Sequence, residues 1–163
     1  MDNVKICGTG HRPQRLSSEF GFNYKSPGWT RVIEELRDYI VENKVTHVIS
    51  GMALGFDMAL AIAAIQLKNI GYNIHLEAAV PCRNQSKFWN EYSKRIHAKI
   101  LERCDEVTIL AEEYSRECMM NRNTYMIDKA DVVLALWDGK CFGGTYDAVR
   151  KAQALNKTVV VVK

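Results

Sequence analysis

Ser50-Gly51-Met52-Ala53-Leu54-Gly55-Phe56-Asp57 joins a strand-like run, Val45 to Ile49, to a strongly apolar segment, Ala59 to Leu67. The order predicts strand, glycine turn and helix. Gly51 and Gly55 let the backbone turn sharply and approach a ligand closely, and the start of the next helix presents unpaired N–H groups with a partial positive charge. Such a turn suits an anion, which makes Ser50, Gly51 and Gly55 binding candidates. Asp57, at the helix start, joins them as a residue that could contact a ribose hydroxyl or else cap backbone N–H groups. Many α/β folds contain the same unit without holding a nucleotide, so its functional meaning depends on the segments around it.

The chain has 163 residues, 47% apolar and 25% charged, which is enough for one domain with a sizeable core, here taken as 1–163. The 22 basic and 19 acidic residues leave a net charge of +3. That balance gives no ground for a wholesale nucleic-acid or membrane partner, yet it tolerates a small anionic ligand. Five cysteines, with no Cys-x-x-Cys pair, indicate neither a disulfide framework nor a typical zinc site, and they fit a reducing cytoplasm. The amino terminus lacks the apolar core of a signal peptide, and no apolar run is long enough to span a bilayer.

Outward from the central turn, strand-like runs alternate with helical ones. Val4 to Cys7 is a short strand entering a second glycine-rich turn, Gly8-Thr9-Gly10-His11-Arg12-Pro13, where Arg12 could recognise a phosphate or carboxylate and His11 adds a second potential cation. Residues 14–28 lack a clean period and read as a flap, whose Phe20, Phe22 and Tyr24 could stack on a base or pack the flap onto the body. Val32, Ile33, Leu36, Tyr39 and Ile40 then follow helical spacing. Ile74 to Val80 is a strand stopping at Pro81, and a helix beginning near Asn84 would put Arg83 and Lys87 on one face, with Trp89, Tyr92, Ile96 and Ile100 as its core stripe. Cations at a helix amino terminus oppose its dipole, and a bound anion would relieve them.

Glu106 to Leu110 reads as a fourth strand, and a helix follows from about Cys118 to Lys129 with Met119, Met120, Met126 and Ile127 as core filling. Arg116 and Arg122 fall near its start, and Arg122 joins the binding candidates. Asp131 to Trp137 is apolar enough to be covered on both faces, and it leads into a third glycine turn. There Gly143 and Gly144 can bring N–H groups against a phosphate, with the Thr145 hydroxyl at the start of the next helix. Lys157 to Val162 closes the pattern as a sixth strand. The economical solution is an α/β fold, Rossmann-like and doubly wound, with a mainly parallel sheet and helices on both faces.

Each glycine or cation cluster follows a predicted strand, so in a parallel sheet all of them share one edge and line one crevice. No segment carries the Walker lysine or a Gly-x-Gly-x-x-Gly pattern, which disfavours an ordinary ATPase or dinucleotide dehydrogenase. Cys7, Cys82 and Cys141 with His11 lie near that edge, but their spacing does not support a metal or redox cluster, so no metal and no cofactor is expected.

These stretches, together with Pro81-Cys82-Arg83-Asn84-Gln85-Ser86-Lys87-Phe88-Trp89 and Gly143-Gly144-Thr145, resemble the SLOG superfamily (SMF/DprA-LOG), in particular its YpsA/YoqJ-like bacterial and prophage branch, over nearly the whole chain. The resemblance implies a Rossmann-like domain for nucleotide-derived ligands, with relatives that sense such signals, bind DNA or cleave nucleoside monophosphates. The hydrolase relatives carry Pro-Gly-Gly-x-Gly-Thr-x-x-Glu, and aligning Gly144-Thr145 with that motif puts Ala148 at the glutamate position. Asp147 is one residue away, turned by roughly 100° on a helix, and does not simply substitute. The leading expectation is therefore binding or sensing of a phosphorylated nucleoside. N-glycosidic hydrolysis, with Asp57 or Asp147 as catalytic candidates, is the alternative. DNA binding of the DprA type would need a basic track with stacking aromatics, which the scattered charges do not form. A homo-oligomer is compatible with the sequence.

Overall fold

A computed structural model describes residues 3–13 and 16–162. Gln14, where the expected flap begins, lies outside the described residues, as do Met1, Asp2, Arg15 and Lys163. Strands and helices alternate: β1 (Lys5–Gly10), α1 (Pro27–Glu42), β2 (His47–Ser50), α2 (Phe56–Asn69), β3 (His75–Val80), α3 (Glu91–Arg103), β4 (Glu106–Ile109), α4 (Arg116–Lys129), β5 (Val132–Leu136), α5 (Gly144–Ala154) and β6 (Thr158–Val162). All pairings in the six-stranded sheet are parallel, in the order β4-β3-β2-β1-β5-β6.

The alternation along each strand decides which helix it meets. Ile6, Val48, Ala78 and Leu134 enter the larger core with α1 and α2, whereas Cys7, Ile49, Ala79 and Val133 enter a smaller one with Met126 and Ile127 of α4 and Ala148 and Ala152 of α5. The chain builds outward from β1 to β4, then returns through α4 to the other side of β1. This is a Rossmann-like α/β fold, and its topological switch point lies at β1, between β2 and β5.

Three expectations are corrected. Gly8, Thr9 and Gly10 are strand residues, paired with Leu134, Ala135 and Leu136, and the turn begins only at His11. The close passage of α2 requires these glycines: a Cβ on Gly10 would lie 2.4 Å from Cβ of Phe56. Arg83 and Lys87 are not on a helix, because residues 83–88 form consecutive turns and α3 starts only at Glu91, where the Asn90 side chain accepts the Ser93 N–H at 2.8 Å. Met120 is exposed instead of filling the core. Of the flap aromatics, Phe20 and Tyr24 pack on Trp29 with ring centroids at 4.9 and 5.6 Å, so they secure the flap to the body. Among the described residues no helix is long and apolar enough to cross a membrane.

Candidate functional site

A cavity of about 470 Å³ opens at the carboxyl ends of the strands, beside the switch point. Its wall takes Gly8, Thr9, Gly10, His11 and Arg12 from β1 and the following turn, Ala53 and Asp57 from the central turn and α2, Arg122 and Asn123 from α4, and Gly144 and Thr145 from α5.

The central turn is held from within. Ser50 Oγ donates to the Asp57 carbonyl at 2.7 Å and accepts the Met52 N–H at 3.2 Å, while Asp57 Oδ2 accepts the Ala53 N–H at 3.3 Å. Met52 sits fully buried at φ 61°, a strained conformation for a residue with a side chain, stabilised by that Ser50 contact. Gly55, at φ 96°, caps α2, and its N–H donates to Tyr24 Oη at 2.9 Å. Ser50, Gly51 and Gly55 therefore shape the turn and are not part of the cavity wall. Gly51 has no side chain because the Asp57–Arg122 pair occupies that space: a Cβ there would lie 2.7 Å from Arg122 Nη1 and 2.8 Å from Asp57 Oδ2.

Asp57 and Arg122 are both buried, with Oδ2 and Nη1 3.9 Å apart, and Arg122 Nη1 also donates to the Gly51 carbonyl at 2.7 Å. Burial pushes the Asp57 carboxyl upward, and Arg122, Arg12 and the Ala53 N–H pull it back. Burial likewise lowers the Arg122 guanidinium, with Asp57 opposing that shift and Arg12 adding to it. Two guanidiniums thus face one carboxylate, and Arg12 is exposed at the mouth.

Across the cavity, α5 begins without a side-chain cap, its N-cap being Gly143 at φ 94°. Gly144 follows, and among the described residues nothing lies within 4 Å of where a Cβ would stand, so their packing does not require glycine there. Thr145 is buried against the cavity, Ala148 is packed into the smaller core, and Asp147 is exposed away from the wall. His11 Nε2 accepts the Asp138 N–H at 3.1 Å, which ties the β1–α1 turn to the β5–α5 turn.

Arg83 and Lys87 are not brought to this cavity. Arg83 forms a bidentate pair with Glu112, at 2.8 and 3.2 Å, and Lys87 Nζ stands 5.3 Å from the Phe88 ring centroid. Thr9, Ala53 and Asn123 were not candidates in the sequence, although Thr9 and Ala53 lie between glycines that were. Asn123 is adjacent to Arg122 and accepts from Arg122 Nε at 2.8 Å. Burial raises the Cys7 thiol to about 12, which makes it unsuited to nucleophilic work. Among the described residues, no group of three His, Cys, Asp or Glu side chains could hold a metal ion.

A second support reaches the central turn from Gln85 in the 83–88 turns, backed by His97 of α3. Gln85 Nε2 donates to the Gly51 carbonyl at 3.1 Å, and Gln85 Oε1 accepts from Nε2 of buried His97 at 3.1 Å. Burial lowers the His97 ring to about 4 from an ordinary 6.5, so the folded protein holds it neutral. A depressed folded value means that this stability is fully present above pH 6.5 and is lost as pH falls toward 4, by roughly 3 kcal/mol over that interval. Melting temperature measured against pH should fall more steeply below 6.5 for wild type than for His97→Gln. Equal slopes would refute the assignment.

Residues 6–160 match the profile of the YspA SLOG family (YpsA). The chain belongs to that family. The uncharacterised SPbeta prophage-derived protein YoqJ of Bacillus subtilis is 32% identical over 124 residues, covering 69% of this chain and 71% of YoqJ. A UPF0398 protein of Lactobacillus johnsonii is 29% identical over 158 residues, covering 91% and 82%. Two solved structures share the fold: TM1055, with a TM-score of 0.56 at 17% identity over 96% of this chain and 72% of that one, and DNA processing protein A of Helicobacter pylori, a single-stranded DNA binder, with a TM-score of 0.61 at 20% identity over 98% and 65%.

Proposed function

We propose that this SLOG-family chain binds a nucleotide-derived ligand, placing a phosphate between Arg12, Arg122 and the amino terminus of α5. The observation that carries the reading is the charge balance of the cavity. Arg12 and Arg122 outnumber Asp57, and the uncapped N–H groups beginning at Gly144 face the same space. An anion offsets the repulsion between the two guanidiniums and satisfies the helix terminus together. The hydrolase alternative has less support, because Ala148 stands where the resemblance requires a glutamate and Asp57 is engaged by Arg122 and the Ala53 N–H. The DprA-type alternative rests on fold likeness alone.

Calorimetry of folded protein with AMP, ADP-ribose and a single-stranded oligonucleotide tests the reading. A mononucleotide or ADP-ribose should bind, and Arg12→Ala should weaken it about tenfold or more, the expected loss for a charge-assisted contact. Binding of the oligonucleotide alone, or an unchanged affinity in Arg12→Ala, would refute it. Chromatography of the same mixtures should show no free base, and base release abolished by Asp57→Asn would favour the hydrolase.

A further inference from the structure

A second cavity, of about 400 Å³, adjoins the first and shares Arg12 with it, and its wall includes Phe88, Trp89, Tyr114, Asn84 and Gln85. We infer that it is the nucleobase subsite for the ligand whose phosphate occupies the first cavity, an inference that rests on the function proposed above. Phe88 is 89% exposed and Tyr114 68% exposed, so two large ring faces stand in water at the rim of a concave site. A planar heteroaromatic ring that stacks on them removes that surface from water, and stacking tolerates any base because every base has a π face.

The wall is fixed to the phosphate site by contacts that do not depend on a ligand. Trp89 meets His97 edge to face at 5.2 Å, His97 is bonded to Gln85, and Gln85 donates to the Gly51 carbonyl that also receives Arg122. On the other side, the Arg83–Glu112 pair and the Arg83 N–H, which donates to the Ala111 carbonyl at 2.9 Å, join the turn bearing Phe88 to the stretch bearing Tyr114. Arg83 thus positions the base subsite and need not touch phosphate. Arg12, on the wall of both cavities, is placed to hold the phosphate end while the sugar crosses beside it. Both volumes fall in the range of small-molecule sites, and a phosphate alone would leave most of the first one empty.

Calorimetry of wild type and the Phe88→Ala/Tyr114→Ala double variant, each titrated with AMP and with ribose 5-phosphate, decides the matter. Wild type should bind AMP about tenfold or more tightly over ribose 5-phosphate, and the double variant should lose that advantage while keeping its affinity for ribose 5-phosphate. Both substituted side chains are exposed, so the fold should survive. Equal wild-type affinities for the two compounds, or an unchanged AMP affinity in the variant, would overturn the base subsite and leave the phosphate site standing. A parallel loss for both compounds would overturn it too. If wild type binds none of AMP, ribose 5-phosphate and ADP-ribose, the proposed function fails and this subsite with it. Binding of ADP-ribose alone would overturn the subsite for a simple nucleotide and leave the proposed function standing. Sedimentation of the same samples covers one other occupant: a wild-type dimer that the double substitution dissociates, with AMP affinity unchanged, would assign the rings to a second copy of the chain.

Discussion

Gly144→Val should abolish most ligand affinity while leaving thermal unfolding within about 2 °C of wild type, since a surface substitution with no steric conflict changes stability by about 0.5 kcal/mol or less. The residue lines the cavity at the first turn of α5, and among the described residues a Cβ there would meet no atom within 4 Å. A Val side chain would therefore occupy the space through which the proposed phosphate would reach the N–H groups of the helix terminus. Losing such charge-assisted bonds corresponds to roughly tenfold to hundredfold weaker binding. Gly143 supplies the contrast: at φ 94° it requires glycine for the backbone itself, so Gly143→Val should lower the melting temperature as well. Melting and titration on the same two variants separate the roles. Unchanged binding in Gly144→Val, or a melting loss as large as that of Gly143→Val, would remove Gly144 as a phosphate contact.

The fold was legible because two periods alternate without ambiguity. Apolar runs such as Val132–Leu136 and the stripe Val32, Ile33, Leu36 and Ile40 identify strand and helix separately, and six such strands with intervening helices leave few topologies open. The edge carrying the glycine turns was legible for the same reason. What each glycine does was not, because its role depends on a partner distant in the chain. Gly10 is required by Phe56 and Gly51 by Arg122, whereas Gly144 is required by no packing contact among the described residues. Arg83 was misplaced because its partner, Glu112, belongs to another loop, and a local helical spacing with Lys87 cannot register a pairing between loops. Buried Glu77 went unnoticed for a similar cause. It lies within a strand-like run, and only the folded chain brings Thr108, Tyr125 and Lys129 to its carboxylate. The hydrogen bond joining Gln85 to the central turn was also hidden, since nothing in either segment announces it.

Arg122→Met carries the largest expected cost to stability, roughly 3–5 kcal/mol, because it leaves the Asp57 carboxylate buried without its countercharge. For a chain of this size, that corresponds to a fall in melting temperature of about 10 °C or more. The loss has a definite pH dependence. Burial already raises the Asp57 carboxyl in the native protein, and Arg122 is the first of the groups that oppose the rise, so the substitution raises it further. A carboxyl whose folded value exceeds its unfolded one contributes stability below the unfolded value and loses it as pH climbs through the folded value. The gap between variant and wild type should therefore be widest near neutrality and should narrow toward the ordinary carboxylate range. Taking the gap at each pH also cancels the effect of His97, which both proteins share. Asp57→Asn in the Arg122→Met background removes the stranded charge and should recover much of the stability without restoring ligand affinity, because the second guanidinium is still missing. Denaturant melts of wild type and of the single and double variants at several pH values test the scheme. A gap that is constant with pH, together with no recovery on adding Asp57→Asn, would mean that Arg122 stabilises the site through its contact with the Gly51 carbonyl and not through Asp57.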